Sequence, residues 1–550
     1  MAIELTPEQR DTGKKNFQRL VGHHGLSRRD FMKGALATGA VVPVTAAAYF
    51  GYKAFQGKPV KAALIGTGDE GGVLIGEHNP DFLEIVAVCD IRPTNQERIF
   101  KGESGGYRKG LERIYGKGCR KSIKVVDDYR KILEMSYDDV QAVIIALPLH
   151  LHAPVAIDAM NAGKHVLCEK LMAWNIQQCK EMIRAADAKD RILSIGHQRH
   201  YSLLYAYASE IVRAGELGDI RHIRAFWHRN NVRPKLDDNG NQLQEEAVDI
   251  RTGEKIPGKT YPMYNDSWRL PVPEEDRKAL AGKVKQYGYQ SMEELIRWRL
   301  YQQTGGGLMA ELGSHQLDAC SIFLNKVKPL AVTGTGGKYF YRDDREVEDH
   351  VFCTFEFPGA NYWADPAHTQ IKDKEDIVVV TYSSISTNNY EPYGECVMGS
   401  KGTLLVEQEE QIMFFPSAGR STTVTASAAG KTAADSSATW APGAAKEREK
   451  AGATALGGPV SRGYREEMEH FAFCVKMWDD RNIAKEQRPK PRCDGRIAMG
   501  DAIVALTANV AMRGTKTTNH QPQRIVFEKD WFDAASPAVP DSENIARKLS

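Results

Sequence analysis

The stretch that decides the fold of this chain reads KPVKAALIGTGDEG at residues 58–71 and is followed by FLEIVAVCD at residues 82–90. The first apolar run ends on glycine and the second ends on a carboxylate. A strand, a glycine-rich turn, a helix and a second strand in this order are typical of a dinucleotide-binding site. Gly66 would allow the tight turn, Gly68 would let the backbone approach a pyrophosphate, and Gly71 would let the helix pack closely on the strand. The pyrophosphate would lie at the N-terminus of that helix, where free N–H groups and the helix dipole favour an anion.

The acid at the end of the second run bears on the choice of cofactor. Asp90 follows Gly71 by 19 residues (90 − 71), the spacing at which a carboxylate accepts hydrogen bonds from a ribose, and this favours NAD. Arg92 stands two residues further on and could pair with a 2′-phosphate, which would favour NADP. The choice between NAD and NADP therefore stays open, and the alternative to the whole site is an ordinary tight turn.

The composition indicates the class of protein. The chain has 550 residues, too many for one compact core, and its 42% hydrophobic and 26% charged residues are typical of a globular protein. A net charge of +2 provides no long-range field for nucleic acid, so nucleic-acid binding is disfavoured. The nine cysteines include no C-x-x-C pair and no Cys/His cluster at ligand spacing, so we expect neither a disulfide framework nor a metal site.

An export signal precedes the glycine turn. SRRDFMK at residues 27–33 is a twin-arginine pattern, and an uncharged run rich in Ala and Gly follows at residues 34–52. Residues 46–48, all alanine, offer a cleavage site, but the 19 uncharged residues could also remain as a membrane anchor. We expect export by the twin-arginine machinery, with the protein periplasmic or anchored on the outer side of the inner membrane. Because that route carries folded proteins, a cofactor would be loaded before export and held tightly.

The remaining pattern predicts an α/β protein. Residues 58–198 alternate strands and helices, which is typical of a doubly wound parallel sheet. Later strand-like runs are joined by turns and predict a second α/β domain with a large, open, mainly antiparallel sheet. The segment 232–291 yields no fold from its pattern. The predicted divisions are a signal and linker at 1–57, a cofactor-binding domain at 58–198 and a C-terminal domain at 199–550 that includes a mobile loop at 416–460.

Two further groups of residues are candidates for chemistry. The first is Glu169 with Lys170, which follow a strand at the edge where parallel sheets bind ligands. A lysine there can bind a substrate hydroxyl and ease its deprotonation, and the alternative is a surface ion pair.

The second group lies in GGGLMAELGSHQLD at residues 305–318. This segment predicts a helix on which Glu311, His315 and Asp318 share one face. Histidine titrates near neutral pH and suits a general acid or base, and a carboxylate one turn away can orient it. The alternative is a polar helix face with a satisfied histidine.

Together these segments resemble the glucose–fructose oxidoreductase, inositol dehydrogenase and MocA (Gfo/Idh/MocA) family. The resemblance rests on the glycine turn, on ALPLHLH at 146–152, on AGKHVLCEK at 162–170 and on the segment 305–318. It covers residues 58–405 and, more loosely, the helices near 464–514. It implies an N-terminal Rossmann domain that binds NAD or NADP, followed by a C-terminal α/β domain whose open sheet faces the substrate and mediates oligomerisation.

The resemblance also implies roles for individual residues. Lys170, Glu311 and His315 correspond to the catalytic set of the family. Two positions depart from the family pattern, because Leu171 replaces the usual proline and Glu311 replaces the usual aspartate. The expected cofactor-binding residues are Gly66, Gly68, Gly71, Asp90, Arg92, Pro148, His152, Glu169 and Lys170. The candidates for the substrate pocket are His197, Arg199, Trp227, Asn230, Asn231, Trp268 and Asp318.

These features predict an exported NAD(P)-dependent oxidoreductase that transfers hydride between a nicotinamide cofactor and a sugar, polyol or related carbohydrate. His315, assisted by Lys170 and oriented by Glu311, would take the hydroxyl proton. A homo-oligomer through the C-terminal sheet is expected. The first alternative is a glycoside-cleaving enzyme that uses bound NAD to oxidise a sugar transiently and eliminate its aglycone. The second is a non-catalytic ligand-binding protein on the same fold.

Overall fold

The computed structural model describes residues 5–23, 43–54, 57–103, 108–417, 462–514 and 521–540. The twin-arginine motif at 27–33 and residues 418–460 of the predicted loop lie outside the described residues. Within the described part, no helix is both long enough and apolar enough to span a membrane. All nine cysteines are described, and each is a buried, free thiol.

The first sheet has six parallel strands in the order β3-β2-β1-β4-β5-β6. These strands are almost wholly apolar because helices cover both faces of the sheet. The order reverses between β1 and β4, which opens a crevice at their carboxyl ends. The predicted doubly wound parallel sheet is confirmed. Its strands are β1 Val60–Ile65, β2 Leu83–Cys89, β3 Lys124–Val126, β4 Ala142–Ile145, β5 His165–Glu169 and β6 Leu193–Gly196.

Helices of the N-terminal half follow the strands in alternation, which is the arrangement that parallel strands require. Asn175 caps one of them, since its side chain accepts a hydrogen bond from the backbone N–H of Gln178 at 2.8 Å. Two helices precede the first strand. In chain order the helices are α1 Pro7–His23, α2 Pro43–Phe50, α3 Asp69–Glu77, α4 Pro93–Lys101, α5 Leu111–Tyr115, α6 Arg130–Leu133, α7 His152–Asn161, α8 Ile176–Lys189 and α9 Leu203–Arg213.

The second sheet has eight strands in the order β15-β14-β13-β7-β12-β11-β10-β16. It is antiparallel except for the pair β7 and β12, so the prediction of a mainly antiparallel sheet is confirmed. Along β12 buried and half-buried side chains alternate, because one face is covered by helices and the other is open. The strands are β7 Ile220–His228, β10 Ala331–Gly337, β11 His350–Pro358, β12 Ile377–Ile385, β13 Tyr393–Gly399, β14 Gly402–Glu407, β15 Gln411–Pro416 and β16 Ile525–Val526.

The segment 232–291, which gave no fold from sequence, is an insertion that forms a hairpin and one short helix, and a second short helix follows it directly. The hairpin pairs β8 (Gln244–Val248) with β9 (Lys255–Pro262), and the helices are α10 (Glu274–Ala279) and α11 (Met292–Ile296). Its small apolar cluster includes Ile91, which immediately follows the second strand of the first sheet. The insertion therefore packs against the cofactor-binding half of the molecule.

The later helices join the two sheets. A π-helical turn, Met309–Gly313, leads into α12 (Ser314–Phe323), which packs on β7. Helix α13 (Tyr464–Asp479) packs on α3 and β1 of the first sheet, and α14 (Gly495–Arg513) lies against α8 and β10. Both sheets are therefore bridged by helices from the C-terminal part of the chain.

Candidate active site

The glycine turn opens onto a groove of about 680 Å³ at the carboxyl ends of β1, β2, β4 and β5. Gly66 has a φ of +96°, and a Cβ there would lie 2.2 Å from the carbonyl oxygen of Ala146. A Cβ at Gly71 would lie 2.3 Å from the carbonyl oxygen of Gly66. Gly68 lines the groove immediately before α3. The turn therefore presents backbone to the groove, which is what a pyrophosphate at a helix N-terminus requires.

Asp90 lies at the edge of this groove and is held by the turn itself. Its Oδ2 accepts hydrogen bonds from the backbone N of Thr67 at 2.9 Å and from Asn95 Nδ2 at 3.1 Å. Its Oδ1 accepts one from the backbone N of Arg92 at 2.9 Å. A carboxylate oxygen has two lone pairs, so Oδ1 keeps capacity to accept a hydrogen bond from a ribose hydroxyl.

Arg92 also lines the groove, but its guanidinium is engaged by the insertion. Its Nε donates to Oδ2 of Asp276 at 2.8 Å. The same carboxylate accepts from the backbone N of Thr94 at 3.1 Å and from its hydroxyl at 2.7 Å. Asp276 is fully buried, so this junction ties the insertion to the loop after β2.

Pro148 and His152 line the opposite wall of the groove. The ring nitrogens of His152 lie 2.8 Å from the carbonyl oxygen of Leu171 and 2.9 Å from that of Leu147. Burial lowers the pKa of His152, so the ring is neutral and donates to one carbonyl at a time. His152 therefore connects the loop after β4 to the segment that carries Lys170.

Lys170 reaches across the groove to the segment before α12. Its Nζ donates to the carbonyl oxygen of Glu311 at 3.0 Å, and the Lys170–Leu171 peptide bond is cis. Glu169 points away from solvent, and burial together with the nearby charge of Glu70 raises its pKa well above the usual range. The structure therefore brings Lys170 and Glu311 together, as the sequence predicts.

His315 lies deeper, 1% exposed, with its ring 5.5 Å from the ring of Trp227. Neither ring nitrogen has a hydrogen-bond partner among the described residues. Burial lowers the pKa of His315 well below its usual value, and the charges of Lys170 and Arg199 lower it further. The imidazole is therefore neutral at neutral pH and can accept a proton.

The carboxylate of Glu311 does not orient His315, contrary to the sequence-based expectation. It accepts a hydrogen bond from Arg299 Nε at 2.9 Å, and Arg299 lines the groove beside it. Glu311 lines the groove, whereas the ring of His315 lies against Trp227.

Asp318 lies behind the groove in a buried polar cluster. Its Oδ1 is 2.9 Å from His200 Nε2 and accepts from Lys326 Nζ at 2.7 Å, while Oδ2 is 3.6 Å from His197 Nδ1. Burial lowers the pKa of His197 to about 3. His197 and Asp318, both predicted for the substrate pocket, therefore lie together.

Arg199 is also buried and supports the site from beneath. Its guanidinium pairs with Glu395 at 3.0 Å and Glu409 at 2.7 Å, and Nη1 donates to the carbonyl oxygen of His315 at 2.6 Å. All of these groups are internal, so the structure places Arg199 as a support of the His315 backbone.

The other substrate candidates lie at the end of β7 and in the insertion. Trp227 stacks on Tyr393 with ring centroids 4.5 Å apart. Asn231 is buried and reaches Asp266 at 3.4 Å, whereas Asn230 forms an isolated bridge with Thr387. Trp268 is 4% exposed.

Three residues of the site escaped the sequence analysis: Arg229, Asp276 and Arg299. Arg229 lies over the ring of Trp268, 4.3 Å from its centroid. It follows Trp227 by two residues, so the alternation of a strand was a signal that could have found it. Asp276 belongs to the insertion and Arg299 follows it. No short sequence pattern predicts where this part of the chain packs.

One group among the described residues has metal-ligand chemistry. Ligand atoms of His200, Cys493 and Asp501 lie within 4.8 Å of one another. The ammonium of Lys326 already lies 3.1 Å from Asp501 Oδ2. A cation there would have to compete with that ammonium, so this cluster does not favour a metal ion.

Three family models match the chain. "Oxidoreductase family, NAD-binding Rossmann fold" matches residues 60–197, and "GFO/IDH/MocA C-terminal domain" matches residues 282–405. "TAT (twin-arginine translocation) pathway signal sequence" matches residues 25–42, where the sequence analysis placed the export signal.

Curated relatives match part of the chain. The "Glycosyl hydrolase family 109 protein" of Stenotrophomonas maltophilia is 29% identical over 210 residues, 37% of this chain and 43% of that protein. The "Uncharacterized oxidoreductase ORF334" of Rhizobium meliloti is 30% identical over 153 residues, 28% of this chain and 40% of that protein. The "Alpha-N-acetylgalactosaminidase" of Shewanella oneidensis is 25% identical over 224 residues, 37% of this chain and 46% of that protein. The chain thus spans less than half the length of each of these three relatives.

Solved structures share the fold over most of the chain. The WlbA dehydrogenase from Bordetella pertussis, in complex with NADH and UDP-GlcNAcA, superposes with a TM-score of 0.50 and 15% identity, covering 86% of this chain and 100% of that one. An inositol dehydrogenase homolog from Azotobacter vinelandii, complexed with NADH and myo-inositol, gives a TM-score of 0.51 and 16% identity, covering 86% and 98%. At 15–16% sequence identity, this similarity shows a shared fold and nothing more.

Proposed function

Because the chain belongs to the Gfo/Idh/MocA family of NAD-binding oxidoreductases, we propose that it transfers hydride between a bound nicotinamide cofactor and a sugar, polyol or related carbohydrate. The observation that carries the proposal is the position of Lys170 and Glu311 in the same groove as the glycine turn, with His315 behind them. The groove also has the features that a dinucleotide needs, namely bare backbone at Gly66 and Gly68 and an acceptor at Asp90.

Each of the site's side chains has its own role in the oxidation of the substrate. NAD, when bound, supplies the acceptor for the hydride. His315, kept neutral by burial, takes the proton of the substrate hydroxyl. Lys170 donates a hydrogen bond to the same oxygen and stabilises the negative charge that develops there. Arg299 holds the Glu311 carboxylate at 2.9 Å, which fixes the segment whose carbonyl oxygen positions Lys170.

We infer that the preferred cofactor is NAD and that it is held tightly. A 2′-phosphate beside Asp90 would need a free cation, and the guanidinium of Arg92 is paired with buried Asp276. The same pair ties the insertion to the rim of the groove, which is lined by Tyr289 of the insertion and by Leu295 and Ile296 just after it. A cofactor beneath this cover would dissociate slowly, which suits a protein loaded before export.

The twin-arginine signal supports a periplasmic location for the folded holoenzyme.

A homo-oligomer through the open face of the second sheet is supported by a row of side chains on adjacent strands, Phe226, Ser383 and Phe352, of which Phe352 is 41% exposed. Light scattering coupled to size-exclusion chromatography tests this: Phe352→Asp should reduce the mass to that of one chain, and an unchanged mass would contradict it.

Identification of the bound molecule tests the central proposal. The exported protein is purified, its small molecules are released with acid, and they are analysed by mass spectrometry and absorbance. We expect stoichiometric NAD, reduced when a carbohydrate substrate is added. His315→Gln and Lys170→Met should slow that reduction about 100-fold or more while the cofactor stays bound. His368→Gln, at an exposed position outside the groove, is the control.

Two results would contradict the proposal. Protein that is purified empty and also fails to bind added dinucleotide is not an oxidoreductase of this kind. Ligand binding that survives replacement of both Lys170 and His315, without activity before or after, supports a non-catalytic binding protein.

A second candidate function is glycoside cleavage by transient oxidation, elimination and return of the hydride. It is favoured by the names of the relatives that match 37% of the chain, glycosyl hydrolase family 109 and α-N-acetylgalactosaminidase. Release of the aglycone from an aryl glycoside without net NADH would support it. Net reduction of added NAD in proportion to the sugar oxidised would support the dehydrogenase.

A further inference from the structure

Arg229 is a buried cation without an anion of its own. It follows β7 and, two residues after Trp227, lies on the inner face of the second sheet. Its side chain is among the largest that are fully buried, with 1% exposure. Neither Nε nor Nη1 finds a hydrogen-bond acceptor among the residues that the structure describes.

Neighbouring arginines are paired, which makes Arg229 exceptional. Arg345 Nη2 lies 2.8 Å from Asp266 Oδ2 and 2.7 Å from Asp343 Oδ2, and Arg269 pairs with acidic side chains in the same way. Asp266 is the acid whose charge acts most on Arg229, but Arg345 engages one of its oxygens. The backbone N of Trp268 donates to the other at 2.9 Å.

This arrangement is energetically costly unless another group completes it. A guanidinium stays protonated in proteins, so it cannot escape burial by losing its proton. Burial of a charge without a hydrogen-bonded partner is strongly unfavourable. The ring of Trp268 covers one face of the guanidinium at 4.3 Å, and a ring on that face leaves the in-plane N–H groups free. Each of those N–H groups can donate a charge-assisted hydrogen bond to an oxyanion.

The position of Arg229 relates it to the reacting end of the site. The ring of Trp227 lies 5.5 Å from that of His315. Arg229 is about 7 Å further along the same strand face, since two residues of a strand span that length. Arg299, which lines the cofactor groove, is among the charges that act on Arg229. His315 and Arg229 therefore lie beside the same inner face of the second sheet, with Trp227 next to both.

We propose that the substrate is a sugar acid, such as a hexuronate or an aldonate, whose carboxylate is bound by the guanidinium of Arg229. This inference rests on the proposed function and specifies its substrate class. A carboxylate is favoured over a phosphate because one guanidinium balances one negative charge, and the neighbouring Arg345 and Arg269 are already paired with acids. Arg229 would be a specificity-determining residue, since neutral sugars leave its charge unpaired.

Calorimetric titration of the purified protein, with its cofactor, tests the proposal. The ligands are a panel of hexuronates and aldonates, the corresponding neutral sugars, and the corresponding sugar 6-phosphates. We expect at least one acid to bind 10-fold or more tightly than its neutral counterpart, and Arg229→Gln to abolish that preference. Equal binding of acids and neutral sugars, or a preference retained in Arg229→Gln, would overturn the proposal. Tighter binding of a sugar phosphate would overturn the assignment to a carboxylate.

Binding of NADH, measured by fluorescence in the same samples, separates this inference from the proposed function. Unchanged NADH binding in Arg229→Gln with loss of the acid preference supports the carboxylate site. If the unsubstituted protein does not bind NADH, that result contradicts the proposed function, whatever the titrations with sugars show.

A comparison of two variants tests the premise without any ligand. Arg229→Met removes a buried charge that lacks a partner and should raise the melting temperature of the substrate-free protein by about 2 °C or more. Arg345→Met is the matched control, and it should lower the melting temperature because it removes the cation that is hydrogen-bonded to buried Asp266. Equal losses in the two variants would show that Arg229 already has a partner and would overturn the proposal.

Discussion

At the scale of single residues, the electrostatics of His315 determine at which pH it can act as a base. A histidine whose folded-state pKa is lowered stays neutral as the pH falls below its ordinary value of about 6.5. Burial is the first cause of this lowering in His315, and the charge of Lys170 is the second. The proposed base is therefore neutral throughout the mildly acidic range.

We expect the pH profile of cofactor reduction to show no loss assignable to His315 between pH 7 and about 6. Lys170→Met removes the second cause, so the pKa of His315 should rise relative to the unsubstituted protein. Nuclear magnetic resonance of histidine-labelled protein measures this directly, with the His315 signal assigned by its absence in His315→Gln. A titration of His315 at its ordinary pKa in both proteins would contradict the expectation.

Glu467 is a second residue whose protonation should make the stability of the fold depend on pH. It is fully buried, and neither carboxyl oxygen finds a partner among the described residues. Burial raises its pKa well above the usual range, and the charges of Glu169 and Asp318 add to this. Above about pH 4.5 the unfolded chain has released a proton that the folded chain keeps, so stability falls as the pH rises toward the raised pKa.

Glu467→Gln should therefore stabilise the protein, and more at pH 8 than at pH 5. The gain should reach about 1 kcal/mol or more at pH 8, since one pKa unit is worth about 1.4 kcal/mol. Thermal unfolding at the two pH values measures it. Exposed Glu486→Gln serves as the control and should change little at either pH. An equal gain in stability at both pH values would contradict this explanation.

At the scale of elements, we propose that the insertion determines which cofactor is preferred. Asp276, on α10, accepts a hydrogen bond from Nε of Arg92, which would keep that guanidinium from a 2′-phosphate. Asp276→Ala should free that guanidinium and lower the dissociation constant of NADPH relative to that of NADH by about 10-fold. The ratio of the two constants, from fluorescence titration, cancels any general loss of stability. The matched control is Arg92→Ala in the Asp276→Ala background, which should restore the original ratio. An unchanged ratio in Asp276→Ala would mean that Arg92 lies outside the ribose pocket.

Elements also explain what the sequence could and could not predict. The glycine turn, Lys170 after β5 and the strands of the first sheet follow from short patterns, because local spacing encodes them. The contact between Arg92 and Asp276 joins residues 184 apart in the chain, and no local pattern carries it. Helical spacing assigned Glu311 as the partner of His315, but that spacing could not reveal that the Glu311 carboxylate is engaged by Arg299.

At the scale of the whole molecule, the N-terminal segment is part of the fold. Helix α1 packs along β15, where Gly13 allows close approach because a Cβ there would lie 2.5 Å from Phe415 Cζ. Phe17 on the same helix is fully buried. In α2 and just after it, Ala46, Phe50 and Tyr52 are buried in the core of the first sheet. The two helices flank the twin-arginine motif and contact different sheets.

These contacts predict that the exported protein keeps its N-terminal helices. Cleavage after the alanines at 46–48 would remove α1, uncover the edge strand β15 and cut α2, so the folded protein should resist it. Mass spectrometry of the intact exported protein should therefore include Phe17, and a mass that begins near residue 49 would contradict this. Phe17→Ala should lower the free energy of unfolding by about 3 kcal/mol or more, because it leaves a cavity between α1 and the second sheet. Its exposed neighbour provides the control, since Gln18→Ala should have little effect in the same urea titration. If both substitutions cost equally little, α1 contributes nothing to the folded protein, and the reason to expect its retention disappears.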